Sequence, residues 1–411
     1  RIWIEFEQPL DGKATVVIES GKGERTRNLT AGQPFAKGRH RVEWDGLDEA
    51  GHVVLPGTFR WRSIQHPGVT PEYLFSFCND GVPPWRTGTG TDMWGPDHST
   101  LTAAAAGKEW TFLGGSCAES GYAMVAVDEN GIKRMHYNQA MGTGIERVCL
   151  AADDNFLYAA HDGFSWGQKI DRKKPDWKGE QKITLSRFEI RSGRVVEFDK
   201  KKFLVISTFE IGPGSINKEA TGYSLQGIAT GDGKLFISDR NRNCVLVLDA
   251  AKGEKLTELP VKDPGPIAFS NGQLLVSSES NIVRINPAGG ETKKLISAKD
   301  FSPQGIAADA AGRIYVSDGQ SHTVKVFDAR GKSLKEIGKR GGAYAGAYDP
   351  ERLVNPRGVA VSPSGWLWVA EDRGNPKRAS AWDIESGRIV KEKFGPTAYG
   401  ASGAGFDYKD H

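Results

Sequence analysis

The run Gln304-Gly305-Ile306-Ala307 is followed by a turn at Gly312, then by Ile314-Tyr315-Val316-Ser317-Asp318, then by Thr323-Val324-Lys325-Val326-Phe327. The same phrase is written three more times. It opens as Gln226-Gly227-Ile228-Ala229, as Gly265-Pro266-Ile267-Ala268 and as Arg357-Gly358-Val359-Ala360, at spacings of 39, 39 and 53 residues. Each copy continues through a glycine turn (Gly233, Gly272, Gly365) into an alternating apolar run that ends in a polar turn. Those runs are Leu235-Phe236-Ile237-Ser238-Asp239, Leu274-Leu275-Val276-Ser277-Ser278 and Leu367-Trp368-Val369-Ala370-Glu371-Asp372. A third run such as Cys244-Val245-Leu246-Val247-Leu248 and a charged turn then lead to a fourth short strand.

Four short strands per period of about forty residues indicate a β-propeller or a related repeat array. A single four-stranded sheet cannot bury both faces, whereas radial stacking covers them and leaves only short edges. The copy from Pro303 through Asp328, and the copy from Asn355-Pro356-Arg357-Gly358-Val359-Ala360 to Ile384, resemble the NHL repeat. The resemblance spans 223–395. Two further sheets are expected before it. The first has strands at Leu101–Ala106, Trp110–Gly115, Ala123–Val127 and Ile132–Tyr137. The second starts near Glu146 and includes Phe156–Ala160 and Ile183–Phe188. The fold expected is all-β: a six-bladed β-propeller over 99–401, with a tail over 402–411.

Residues 1–66 read as a separate unit. Arg1–Glu7, Ala14–Glu19, Gly38–Gly46 and Leu55–Arg62 alternate as strands with one buried face. Trp44 is a core anchor, and Asp45-Gly46 supplies a turn with positive φ. Gly38 to Arg62, with its Trp-Asp-Gly turn before a Pro-Gly-Thr strand, resembles the immunoglobulin-like domain of bacterial flagellar hook-capping proteins. That resemblance implies an Ig-like β-sandwich appended to an exported bacterial protein, hence secreted, periplasmic or on the cell surface. Asn28-Leu29-Thr30 matches a glycosylation sequon, for which chance is the simpler account in a bacterial chain.

Residues 67–98 read as a linker and long loop. His66–Pro71 is stiff by its Pro and Gly content, Tyr73–Phe77 reads as a strand suited to closing the ring, and 79–98 carries Trp85 and Trp94. Loops beyond about twelve residues in compact domains tend to be functional or disordered. The chain begins at Arg1 inside a strand pattern and ends in Asp407-Tyr408-Lys409-Asp410-His411. That ending resembles an acidic epitope tag and reads equally well as native sequence. A processed or truncated piece of a larger polypeptide is expected.

Composition narrows the partners. The 411 residues carry 54 basic and 51 acidic side chains, a net charge of +3, which points to neither nucleic acid nor a membrane surface. No apolar run approaches the roughly twenty residues needed to span a bilayer. The four cysteines (Cys78, Cys117, Cys149, Cys244) are too dispersed for a zinc ribbon or a redox pair. Cys149 and Cys244 sit in strand patterns as buried thiols.

In a propeller, the starts of the inner strands and the ends of the second strands share one rim. The insertions (79–98, 163–182, 338–354) gather there too, and mixed loops on a rigid scaffold are where binding usually lives. The candidate mouth holds Gln226, Gln304 and Arg357, then Asp162, Asp239, Glu279, Asp318, Glu371 and Asp372, with Arg240 and Arg373 as counter-charges. His161 and His322 join them, and Trp85, Trp94, Trp166 and Trp177 offer stacking faces. Rings beside carboxylates and arginines suit a sugar. Asp239 and Asp318 also read as turn caps accepting backbone N–H bonds.

Two functions stay open. One is a binding or scaffold module for a glycan or protein partner. The other is an enzyme, since six-bladed propellers of similar repeat style include gluconolactonase-like hydrolases and peptidyl-hydroxyglycine lyases with Ca2+ or another divalent metal on the axis. The positions such a metal requires are Val148, Gln226, Gly265, Gln304 and Arg357, a poor ligand set. No Gly-x-Ser-x-Gly elbow or His-Glu-x-x-His helix is present.

Overall fold

The computed structural model describes residues 1–68, 95–96, 98–116, 122–137, 144–164, 176, 178–211, 223–289, 291–344, 348–374 and 377–395. The chain divides into two compact units, Arg1–Phe75 and Ser76–His411.

The first unit has five strands: β1 (Ile2–Gln8), β2 (Gly12–Ser20), β3 (Arg25–Phe35), β4 (Gly38–Trp44) and β5 (Phe59–His66). They form two antiparallel sheets, β1-β4 and β3-β2-β5. Ile4, Phe6, Ala14, Val16, Ile18 and Trp44 make the core between them. Trp44 is 4% exposed, and its indole N–H donates to Leu47 O at 2.9 Å. Gly46 has φ of 81°, as the Asp45-Gly46 turn requires. Strand β3 is absent from the sequence reading because Arg25–Phe35 shows no clean alternation. Its register against β2 is broken by irregularities at three places, and the Thr30 hydroxyl fills one of them by accepting from Val16 N and donating to Ala14 O.

The second unit holds six four-stranded antiparallel sheets among its described residues, each built from consecutive strands. Sheet one is Ala103–Ala106, Thr111–Gly114, Met124–Val127 and Lys133–Tyr137, and sheet two is Gly144–Ala152, Phe156–Phe164, Gly179–Glu189 and Phe203–Ile211. Sheets three to six begin at Leu225, Pro264, Pro303 and Pro356 and end at Pro260, Ser297, Ile337 and Phe394. The innermost strand of each sheet touches that of the next. Pro356–Val361 of sheet six touches Ala103–Ala106 of sheet one, so the ring closes. This is the arrangement of a β-propeller. The proposed closing strand at Tyr73–Phe77 lies outside the described residues.

One apolar cluster fills each of the six seams between sheets. Successive side chains of a strand point to opposite faces, so a second strand serves both seams. Leu235 and Ile237 face sheet two, while Phe236 faces sheet four. The turns between first and second strands follow the local chemistry. Asp232 and Gly233 have φ of 52° and 69°, and Asn271 and Gly272 have 50° and 72°. Both central residues are left-handed, which matches a two-residue hairpin to strand twist. In sheet two the second strand runs on past His161-Asp162 to Phe164, and the third begins at Gly179. The expected insertion at 163–182 is therefore partly strand, with Phe164 facing Gln181 in register.

The repeated Gly of the opening phrase is explained at the seams. A Cβ on Gly305 would stand 2.2 Å from Arg357 O, and one on Gly358 would stand 2.4 Å from Ala104 N. At Gly227 the neighbours are Ile267 Cγ2 at 2.9 Å and Ile267 N at 3.0 Å. In each case the obstruction includes the backbone of the next sheet's inner strand. Gly358 N also donates to Thr102 O across the seam at 3.0 Å.

Gly305→Ala is expected to destabilise the second unit by about 1–3 kcal/mol, the usual cost of overpacking against unyielding atoms. Gly374→Ala, where a Cβ meets nothing within 4 Å, is expected to stay within about 0.5 kcal/mol of the parent. Urea unfolding of both variants checks this, and equal midpoints would refute the close-approach account.

Candidate functional site

The inner strands enclose a cavity of about 310 Å3 on the ring axis. It shares Arg147, Gln226, Pro266, Gln304 and Arg357 with a wider opening of about 650 Å3. The wall of the inner cavity is apolar below, with Leu150, Ile228, Ile267, Ile306 and Val359, and polar at the rim. A recurring backbone device sets this division. In sheets two to six the inner strand carries a register shift near its start, between Ile145 and Arg147, Leu225 and Gly227, Pro264 and Ile267, Pro303 and Gly305, and Pro356 and Val359. A bulge leaves one residue unpaired and re-aims its side chain. Gln226, Gln304 and Arg357 are among the residues so placed.

The rim is wired together. The Arg357 guanidinium donates to Gln304 Oε1 and pairs with Asp372 Oδ2 at 3.3 Å. Asp372 Oδ1 accepts from the Thr100 hydroxyl at 2.6 Å, joining sheet six to the segment before sheet one. Gln304 Nε2 donates to Ser302 Oγ at 2.9 Å, and Gln226 Nε2 donates to Tyr223 O. Arg240 pairs with Asp263 at 2.9 Å, and Glu279 with Lys262 at 2.6 Å. Burial holds the Arg240 guanidinium below its ordinary value, opposed by Asp263 and aided by the like charge of Arg147.

Of the residues singled out in the sequence, Gln226, Arg240, Glu279, Gln304, Arg357 and Asp372 line these cavities. His161, Asp162, Asp239, Asp318, His322, Glu371 and Arg373 line neither. Most of them fasten the chain where it enters an inner strand. Asp239 accepts from the Ser224 hydroxyl and from Arg242 N. Asp318 accepts from Ser302 N at 2.8 Å and Gln320 N at 2.9 Å. Glu371 accepts from Val354 N at 2.7 Å and pairs with Arg378 at 2.9 Å and Arg373 at 3.8 Å. His322 Nδ1 accepts from Asn355 N at 2.9 Å. Asp162 accepts from Leu225 N at 2.9 Å and from Gln181. Burial pushes Asp162 up to about 6 and Glu371 up to about 7, but both are structural fasteners away from the cavity walls. Trp85, Trp94, Trp166 and Trp177 lie outside the described residues.

The sequence reading passed over Arg147, Tyr223, Thr100 and Asp263. Arg147 was hidden by register. The sequence puts Val148 level with Gln226, whereas the shift that falls at Gln226 in sheet three falls earlier in sheet two, before Arg147; Val148 pairs with His161 and is buried, and Arg147 lines the cavity. Cys149, expected to be buried in the strand, is half-buried and lines the cavity as a free thiol. Burial raises its pKa, with Arg147 and Arg357 opposing.

A divalent metal does not fit this mouth. Among the described residues no group of three His, Cys, Asp or Glu side chains gathers as ligands, and the rim places three guanidinium groups where a cation would sit.

Comparison with known proteins gives one family match: the NHL repeat, over residues 302–327. The match covers the chain's first three strands of sheet five. The ring is a β-propeller, and its fifth sheet carries the matched NHL repeat. No curated protein matches the chain. Among solved structures, one of the nidogen/laminin complex is similar at 14% identity, covering 72% of this chain and 92% of that one, with a TM-score of 0.43. A protein of unknown function from Bacteroides thetaiotaomicron is similar at 14% identity, covering 96% and 94%, with a TM-score of 0.45. Virginiamycin B lyase from Staphylococcus aureus is similar at 13% identity, covering 67% and 92%, with a TM-score of 0.38.

His161 departs from the pattern of fasteners. Counting along the strand from Leu157 and Ala159, which pack on sheet one as Leu235 and Ile237 pack on sheet two, it stands where Asp239 stands. It is 1% exposed, and neither ring nitrogen has a hydrogen-bond partner. Burial pushes its pKa down to about 4. The folded chain then binds fewer protons at this site than the unfolded chain between about pH 4 and 6.5. The stabilisation is complete above 6.5 and is lost as pH falls through 4. His161→Leu is therefore expected to leave stability at pH 7 unchanged or raised by about 1 kcal/mol, because an unpaired buried polar group is removed. Its advantage over the parent is expected to widen from pH 7 to pH 4. Unfolding midpoints across that range check it, and a large loss at pH 7 would show that the imidazole has a partner.

Proposed function

We propose that the chain is a six-bladed propeller module of an exported bacterial protein, preceded by an immunoglobulin-like domain. It holds a glycan or protein partner at the axial mouth. The observation that carries this reading is the mouth itself: a polar rim of Arg147, Gln226, Gln304 and Arg357 above an apolar-walled cavity of about 310 Å3. Such a cavity is large enough for one compact group, and amide and guanidinium donors around an apolar floor fix the orientation of that group.

The binding reading is favoured over an enzyme by where the titrating groups lie. General acid–base work needs a proton donor or acceptor within reach of the bound molecule, with its pKa near the working pH. Asp162 and Glu371 have suitably raised values, yet both are absent from the cavity walls and already fasten the backbone. The acids that do face the opening, Asp263, Glu279 and Asp372, are paired with Arg240, Lys262 and Arg357.

Panels of immobilised oligosaccharides and peptides probed with the full chain test the reading. The double variant Gln304→Ala/Arg357→Ala is expected to weaken retention by about tenfold or more while lowering stability by no more than about 1 kcal/mol, the upper end for a partly exposed ion pair. Chelation with EDTA is expected to leave retention intact. Release of a cleaved product, or retention indifferent to the double variant, would overturn it.

A further inference from the structure

We propose, resting on the binding reading above, that the mouth recognises a carboxylate and that Arg147 receives it. The rim carries Arg147, Arg240 and Arg357 together with Asp263, Glu279 and Asp372. Each of the three acids already has a basic partner among Arg240, Lys262 and Arg357. Asp372 is further committed to the Thr100 hydroxyl. Asp162 lies across the strand pair from Arg147, but its oxygens are taken by Leu225 N and Gln181. Asp162 attracts Arg147 electrostatically, yet among the described residues each of the three rim acids has a cation of its own and none of them is the hydrogen-bond partner of the Arg147 guanidinium.

The Arg147 side chain is half-buried and faces the cavity beside the Cys149 thiol. A thiol is a weak acceptor, whereas a guanidinium presents five N–H donors in a planar fork. Its natural complement is a carboxylate, phosphate or sulfate held by two parallel hydrogen bonds. The charge balance chooses among these. With Asp162 and the three rim carboxylates close by, a monoanion held by the fork is accommodated and a phosphate dianion meets repulsion. The apolar wall beneath the rim, from Leu150 to Val359, then takes the uncharged body that carries the carboxylate. A sugar acid and a peptide C-terminus both present this chemistry.

The test is titration calorimetry on the full chain with three kinds of probe. These are a glucuronate-terminated disaccharide, N-acetyl-dialanine with a free C-terminus, and inorganic phosphate, the first two each beside its primary amide. At least one carboxylate is expected to bind about tenfold or more tighter than its amide, with phosphate weaker than either acid. The tighter acid identifies the source. Arg147→Gln is expected to abolish the preference for acid over amide without moving the unfolding midpoint. Amides binding as well as acids, no acid binding at all, or a preference that survives Arg147→Gln would each overturn the proposal. Retention on the panels that still responds to Gln304→Ala/Arg357→Ala would then leave the mouth as the binding site. Loss of that response as well would bring down the binding reading too.

Discussion

The ring depends on how closely the inner strands of adjacent sheets approach. Six wedge-shaped sheets leave least room on their axis, and there the chain places glycine: Gly227, Gly305 and Gly358 each lie where a Cβ would collide with the next sheet. Side chains fill the seams further out, where Trp368, Tyr315 and Phe236 are wholly buried. Removing Cβ atoms at the axis and adding aromatic bulk towards the periphery produces the taper that closes a ring. Close-packed interiors tolerate little deviation in volume, so each seam fixes the angle of its neighbours.

A ring closed in this way must end its inner strands at a common rim. The register shifts at their starts turn polar side chains into the opening, and the fasteners behind the rim keep those shifts in place. Asp239, Asp318 and Glu371 bind the segment that leads into each inner strand of sheets three, five and six. Ser278 does so in sheet four through Lys262 O. Carboxylates suit the task because each can accept from more than one donor. Their burial is costly unless it is offset by hydrogen bonds, and donors of the entering chain supply them: the Ser224 hydroxyl to Asp239, Ser302 N to Asp318 and Val354 N to Glu371.

Much of this was legible in the sequence because the repeat repeats. The period, the strands of the last four sheets, the role of Trp44 and the capping by Asp239 and Asp318 all follow from local alternation and turn chemistry. Strand β3 was not legible, since Arg25–Phe35 pairs through an irregular register that breaks the period-two pattern on which strand reading rests. Arg147 was not legible for a related reason: the shift that falls at Gln226 in sheet three falls before Arg147 in sheet two, so residues level by apolar position are not level in pairing. A sequence aligned by its apolar positions alone counts through a bulge without noticing it. His161 carries a third lesson, because an imidazole beside an aspartate reads in sequence as a ligand, a base or, more simply, a satisfied surface histidine, while the fold buries it without a hydrogen-bond partner at a fastener's position.

The repeats also separate scaffold from site without any outside comparison. A position that serves the ring meets similar surroundings from sheet to sheet, so its residue type recurs: glycine at the seam in Gly227, Gly305 and Gly358, and an acid or hydroxyl at the end of the second strand in Asp239, Ser278, Asp318 and Glu371. A position that serves a bound molecule meets that molecule from a different direction in each sheet, so nothing requires the copies to agree. At the rim the copies disagree, with Gln226, Gly265, Gln304 and Arg357 at the aligned position of successive repeats and Arg147 and Pro266 lining the cavity beside them. The disagreement is itself ordered, since two guanidinium groups and two amides surround one cavity with a proline between them. A ring of equivalent sheets thus gains an asymmetric mouth without disturbing its closure, because the seams meet these residues through their backbone, as at Arg357 O, and it is the side chains that differ.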